Sequence, residues 1–270
     1  MILASATALT SSLTLTLTAA VAVAYLVPAV ALRRSGKAAR LVVLVAWLLH
    51  ALLLIANLAG ETPRFGFAPA LSVTAWLVAA VYAVESHFYP QLQIRWALCA
   101  LGAVAVILAQ IFPGAPLHAN ASVWLPLHLA LGIGSYGLFG AAVAHAWFMG
   151  RAEGRIRMAA DPHSGMPLLT IERLTFRFVG AGFVLLTATL IVAFMFSESL
   201  YGKGAAGRWD HKTVFSVLSW ITFAALLLGR ARFGWRGRSA ARVLYAGAGL
   251  LFLAYVGSRF VLEVVLGRTP

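Results

Sequence analysis

The chain is short of charge, of acid and of cysteine. Only 11% of its 270 residues are charged, and Asp and Glu together number 8. Soluble domains carry about 25% charged residues, so a water-exposed globule is excluded and an integral membrane protein is indicated. Cys99 is the one cysteine. It excludes an intrachain disulfide, a Cys-x-x-Cys redox pair and covalent attachment of a prosthetic group through paired thiols. No P-loop, Cys/His zinc cluster or nucleophile elbow is written in the sequence, and an enzyme is not expected. The basic excess, a formal net charge of +13, does not point to nucleic acid, because the cations fall in short clusters between apolar runs.

What is abundant is apolar: 61% of the residues. A window of about 19 residues gives about eight spans, near 8–31, 41–59, 68–86, 95–112, 122–149, 174–197, 212–229 and 241–266. The fold class expected is all-α, a polytopic membrane helix bundle forming a single domain over 1–270. The extreme N-terminus has no basic segment, so no cleavable signal is expected. Cations alternate between connections. Arg33, Arg34, Lys37 and Arg40 follow span one, and Arg95 follows span three. Arg151, Arg155, Arg157 and Arg173 follow span five; Arg230, Arg232, Arg236, Arg238 and Arg242 follow span seven. The intervening loops carry only Arg64, then Lys203 and Arg208. The positive-inside rule makes the first set cytoplasmic and both termini extracytoplasmic.

This topology sorts the histidines by depth. His211 lies at the outer surface, His118 in an outer loop, and His128 about 9 Å into span five. His50 is near mid-membrane, while His87, His145 and His163 belong to the cytoplasmic side. His145 is roughly 25 Å along the same helix from His128 and cannot share its site. His128 and His211 can share one. Intramembrane ionisable residues are costly and commonly functional, and imidazole is a usual axial ligand of heme iron. His128 and His211 are therefore candidate ligands of one non-covalent, b-type heme at the outer face.

The stretch Gly207-Arg208-Trp209-Asp210-His211-Lys212-Thr213 would form one wall of that site. Trp209 and Trp124 have two readings, flanking a porphyrin or standing in the interfacial aromatic belt. Lys212 and Arg208 either pair with propionates or snorkel. Asp210 either orients His211 or caps the helix that begins there. His50 has three: a second heme, a proton relay, or a hydrogen bond across helices. Gly132, Gly134, Gly137 and Gly140 flatten one side of span five, for helix packing or for a flat ring. Arg259 and Glu263, four apart, read as an intrahelical ion pair; Glu172 with Arg173 and the loop 234–238 read as structural.

These motifs resemble the cytochrome c assembly family, the CcsA/ResC-type heme-handling membrane proteins, and specifically the smaller YpjD/HemX-like inner-membrane members. Trp124-Leu-Pro-Leu-His128 with Ser135-Tyr136 resembles the family helix that carries an external heme histidine. Trp209-Asp210-x-Lys212, with Trp220, resembles the tail of its tryptophan-rich segment. Glu172-Arg173-Leu174, His211-Lys212-Thr213, Gly234-Trp235-Arg236-Gly237-Arg238 and Ala254-Tyr255-x-Gly257-Ser258-Arg259-Phe260 resemble the smaller subgroup, as does the position of His50. The tryptophan-rich segment is shortened here, with Tyr201-Gly202-Lys203-Gly204 in its place. The family's second external histidine is not found around Leu266-Gly267-Arg268, and His211 is expected to stand in for it. The resemblance implies a bacterial inner-membrane protein that presents or handles heme at the extracytoplasmic face, working in the bilayer with another cytochrome c assembly or membrane protein. Its rival is a non-enzymatic regulator or assembly partner without stoichiometric heme. A solute transporter finds no support, since no matched broken helices are seen.

Overall fold

The computed structural model describes residues 2–30, 36–58, 64–88, 95–116, 122, 124–157, 168–201 and 209–267. Outside them lie Arg33, Arg34, His118, His163, Gly202, Lys203, Gly204, Gly207 and Arg208. The side chains of Lys37, Arg40, His87, Arg95, Arg155, Arg157 and Tyr201 lie outside them too.

The protein is all-α. The helices are α1 (Ile2–Val30), α2 (Gly36–Leu58), α3 (Phe67–Phe88), α4 (Arg95–Ile111) and α5 (Trp124–Arg157). They continue with α6 (Leu168–Met195), the short α7 (Ser197–Tyr201), α8 (His211–Phe233) and α9 (Gly237–Phe252). From α9 the chain runs on through a π-helical turn (Leu253–Gly257), one α-turn (Ser258–Phe260) and a second π-helical turn (Val261–Val265). A helix satisfies every backbone polar group internally, which lipid demands. Among the described residues six helical stretches are long and apolar enough to cross a membrane: Leu41–Leu58, Phe67–Val84, Trp124–Gly154, Leu169–Met195, His211–Phe233 and Gly237–Val265. Ser12–Pro28 and Ala97–Ile111 are shorter apolar helices. The expected spans 122–149 and 174–197 underestimate α5 at its C-terminal end and α6 at its N-terminal end, because hydropathy fades where charged residues extend a helix past the apolar run.

Among the described residues the two largest of four apolar clusters organise the bundle. One gathers α5, α6, α8 and α9 around Phe139, Val179, Phe223, Leu226 and Leu244. The other gathers α1, α2 and α4 around Val21, Tyr25, Ala46 and Val106. Between them stands α3, which packs on α2, α4 and α5. Trp47 and Trp76 pin α2 to α3 reciprocally: each indole donates to the other's carbonyl, at 3.2 and 3.1 Å, and the rings stack. The outward stripe of α2, Leu41, Leu44, Leu48, Leu52 and Ile55, is exposed, as a lipid-facing stripe at three- and four-residue spacing would be. The α5 glycines serve packing: a Cβ at Gly137 would meet Leu77, and one at Gly140 would meet Val78.

The helix ends fix which residues share an end of the bundle. Trp124, opening α5, stacks on Phe196 at the close of α6, with centroids 3.9 Å apart. Ser122 and Ser199 hydrogen-bond at 2.6 Å. At the opposite end Arg230 of α8 donates to Glu172 of α6. There α8 stops at Gly234, whose φ of 64° is left-handed, a conformation glycine adopts without cost. The ring of Trp235 then folds against Gly229, leaving no room for a Cβ. A two-residue ribbon pairs Arg64–Phe65 with Ala115–Pro116, antiparallel. It ties the chain entering α3 to the chain leaving α4, and hydropathy gives no sign of it.

Candidate functional site

The starts of α5 and α8 lie at one end of the bundle, and a common marker sets their heights. Phe139 of α5 and Phe223 of α8 stack with centroids 3.8 Å apart and planes 3° off parallel. His128 precedes Phe139 by eleven residues, and Lys212 precedes Phe223 by the same eleven. Eleven residues rise about 16 Å and complete about three turns. His128 and Lys212 therefore stand at about the same height, each on the helix face that carries the stacked pair. Lys212 is half-buried; His211, one residue earlier and about 100° round the helix, is exposed. The structure thus brings both candidate histidines to the same end and turns Lys212, ahead of His211, toward the interior. The eleven-residue spacing from Phe223 was the signal in the sequence for this phase.

His128 is partly buried, and the Thr189 backbone on α6 hydrogen-bonds its imidazole. A backbone carbonyl on one ring nitrogen is the contact that metal-ligating imidazoles commonly make. Beneath it on the same face lies Ser135, buried and donating to Gly132 at 2.7 Å. Trp124 keeps one ring face on Phe196 and remains exposed, as does Trp209.

Asp210 is the N-cap of α8. Its Oδ1 accepts from the Thr213 backbone N–H and from the Thr213 hydroxyl, both at 2.8 Å. Burial would raise its pKa, but the two Thr213 hydrogen bonds and the Lys212 and His211 charges outweigh it and hold the carboxyl below its ordinary value. The capping reading of Asp210 describes the contacts seen.

His50 belongs to α2. It is fully buried, with Nδ1 3.1 Å from the Tyr25 hydroxyl and Nε2 2.8 Å from Ser72 Oγ. Both ring nitrogens are engaged, which is the cross-helix hydrogen-bond reading. Among the described residues no group of three or more His, Cys, Asp or Glu side chains is placed to hold a metal ion. A heme iron asks less of the protein, one or two axial ligands.

Sequence reasoning missed the wider setting of Arg259 and Glu263, in the turns beyond α9. Arg259 and Glu263 come within 3.9 Å, but they join a wider cluster with Lys212 of α8 and the start of α3 at Gly66 and Phe67.

The architecture is that of a multi-pass membrane bundle with a polar, cationic end holding a half-buried histidine. A family model described as Cytochrome C assembly protein matches residues 35–266, and the chain belongs to that family, as a CcsA-type protein of the YpjD-like subgroup. It is 37% identical over 174 residues to an uncharacterized 28.8 kDa protein in the nifR3-like 5' region of Azospirillum brasilense, covering 63% of each chain. It is 30% identical over 169 residues to the inner membrane protein YpjD of Escherichia coli strain K12, covering 62% of this chain and 63% of that one. Similarity to the cytochrome c biogenesis protein CcsA of Synechococcus elongatus is 32% over 88 residues, 33% of this chain and 26% of that one. The chain thus spans 63% of the length of the first two of these relatives. No solved structure matches it.

Proposed function

We propose that the protein binds heme non-covalently at the extracytoplasmic end of its bundle and presents or handles it there for cytochrome c assembly. The observation that carries this reading is the common height and facing phase of His128 and Lys212, at the end where α8 also starts with Trp209 and His211. The residues suit the group. A half-buried neutral imidazole tolerates the low dielectric that a carboxylate does not. His128 would be the axial ligand from the wall and His211 the second ligand from the rim. Trp124 and Trp209 would flank the ring, and Lys212 would face its acid side chains. Bound heme would bring a ligand-exchangeable iron; the chain's own residues bind it, orient it and shield one face from water. The protein needs no chemistry of its own and acts as a carrier, not an enzyme.

The same reading places eight spans in a bacterial inner membrane with both termini outside. The shorter α1 and α4 stretches complete the count, and Arg173, Arg232 and Arg238 face the cytoplasm. The partner would be another membrane protein of the assembly route, or the apocytochrome. A second reading, an assembly partner or regulator without stoichiometric heme, is favoured by the exposure of His211 and by the engagement of both His50 nitrogens.

An optical spectrum of the purified protein separates them. The first reading expects a Soret band that is lost in His128→Ala and weakened or shifted in His211→Ala. A heme-free wild type, or full heme content in both variants, would reject the ligand assignment.

A further inference from the structure

Arg259 and Glu263 do not close as an ordinary ion pair. Arg259 Nη1 stands 3.9 Å from Glu263 Oε1, beyond hydrogen-bond length. Nε and Nη1 of Arg259 and Oε1 of Glu263 are buried and, among the described residues, have no hydrogen-bond partner. Glu263 is drawn elsewhere. Its carboxylate lies over Gly66, where an added Cβ would fall 2.9 and 3.0 Å from its two oxygens. It also faces the Phe67 amide at the electropositive start of α3. The π-helical turns on either side of Arg259 widen the helix, so a four-residue spacing no longer stacks the two side chains. Such turns recur at functional sites.

The cluster is cationic. Lys212 brings a second positive charge from α8, near enough to interact with both Arg259 and Glu263. Asp210, the other carboxylate beside Lys212, is held by Thr213. The Arg259 guanidinium leans over the Tyr255 ring, 5.8 Å from its centroid, which limits where its N–H groups can point. Buried guanidinium donors without acceptors are rare in folded proteins, and an oxyanion is what they recognise best. Lys212 is also the residue at the height of His128.

We propose that Arg259 and Lys212 form an oxyanion receptor, and that its ligand is the acid side chain of the tetrapyrrole held at His128. Glu263, drawn to the start of α3, leaves Nε and Nη1 of Arg259 for that carboxylate. The inference rests on the reading of the preceding subsection and adds the residue that fixes the orientation of the ring. The same oxyanion chemistry has a second source, the phosphate of an anionic lipid headgroup.

The test uses the full chain in nanodiscs of phosphatidylcholine, titrated with ferric heme and with heme dimethyl ester, whose acids are blocked. The wild type should bind the free acid at least about tenfold more tightly than the ester. Lys212→Gln and the double variant Arg259→Gln/Glu263→Gln should each lose most of that ratio, the affinity for the free acid falling toward that for the ester. The double variant avoids stranding a lone buried carboxylate. Equal binding of acid and ester by the wild type, or an unchanged ratio in both variants, overturns the receptor alone. Failure of the wild type to bind either compound overturns the heme reading and the receptor's ligand with it. A parallel titration in nanodiscs containing phosphatidylglycerol covers the lipid source. If Arg259→Gln/Glu263→Gln abolishes lipid retention and leaves the acid-to-ester ratio intact, the site belongs to a headgroup and the proposal is overturned.

Discussion

The two ends of the bundle each hold a glutamate beside an arginine, Glu172 buried and Glu263 partly buried, and the two pairs are built differently. At the end where α8 stops, Glu172 accepts from Arg230, has Arg236 Nε at 3.8 Å, and leaves Arg230 a further bond to the Trp235 carbonyl at 3.2 Å. The guanidinium also lies 4.5 Å over the Phe176 ring. Every partner there belongs to the fold, so the pair staples α6 to the turn between α8 and α9. At the other end, where α8 starts, Glu263 is diverted to the start of α3, and Arg259 keeps donors to spare. The first pair is satisfied within the fold; the second leaves polar atoms that the proposed receptor would use.

Breaking the staple should have the largest effect. Glu172→Gln leaves Arg230 without its anion. Fully buried pairs lose about 3–5 kcal/mol when one partner goes. Arg230 retains 26% side-chain exposure, so roughly 2–3 kcal/mol is expected, read by thermal or denaturant unfolding in detergent. A loss below about 0.5 kcal/mol would erase the contrast between the ends.

The buried His50 group is satisfied architecture of a second kind. His50→Leu removes two hydrogen bonds and strands the Tyr25 and Ser72 hydroxyls. It should cost about 2 kcal/mol and leave any heme content at the wild-type level. Heme loss at unchanged stability would make His50 a ligand instead.

The Arg259–Glu263 pair should behave in the opposite sense. Arg259→Met with Glu263→Leu removes both charges and should leave stability within about 1 kcal/mol of wild type, or raise it, while ligand discrimination falls. A large loss of stability would make that pair a second staple.

The sequence carried the bundle well and the site in part. Apolar runs of about 20 residues between basic clusters specify helices and their direction, because lipid leaves the backbone no other economy. That α5 and α8 start at one end of the bundle, with His128 and His211 near it, followed from that. Phase did not. His211 drew attention as a ligand type, yet helical rotation gives the inward face to Lys212, legible only once Phe223 is known to be core. Asp210 was legible as a cap from its place before an apolar run. The π-helical turns around Arg259 leave no mark in composition, and a four-residue Arg/Glu spacing reads as a local pair whether or not the helix is regular. The β-ribbon and the reciprocal Trp47–Trp76 bonds depend on side chains brought together from distant parts of the chain, which periodicity does not report.

The smallest expected effect sits beside the candidate site and tests whether Asp210 acts on the fold alone. Its carboxyl pKa lies below the ordinary value in the folded protein. The ionised cap therefore contributes stability above the unfolded-state pKa, about 3.9, and that contribution is lost as pH falls through the lower folded value. Asp210→Asn keeps an N-cap acceptor that does not titrate. The wild type should exceed it by no more than a few tenths of a kcal/mol near pH 7, since the carboxyl is exposed and screened. The difference should shrink toward zero, or reverse, as the solution is acidified below about pH 4. Asp210→Ala, which removes the acceptor, should cost about 1 kcal/mol at neutral pH. If Asp210→Asn instead lowers heme content or shifts the Soret band at neutral pH with the helix intact, the free oxygen of Asp210 is orienting His211, and the residue belongs to the outer site as well as to the cap.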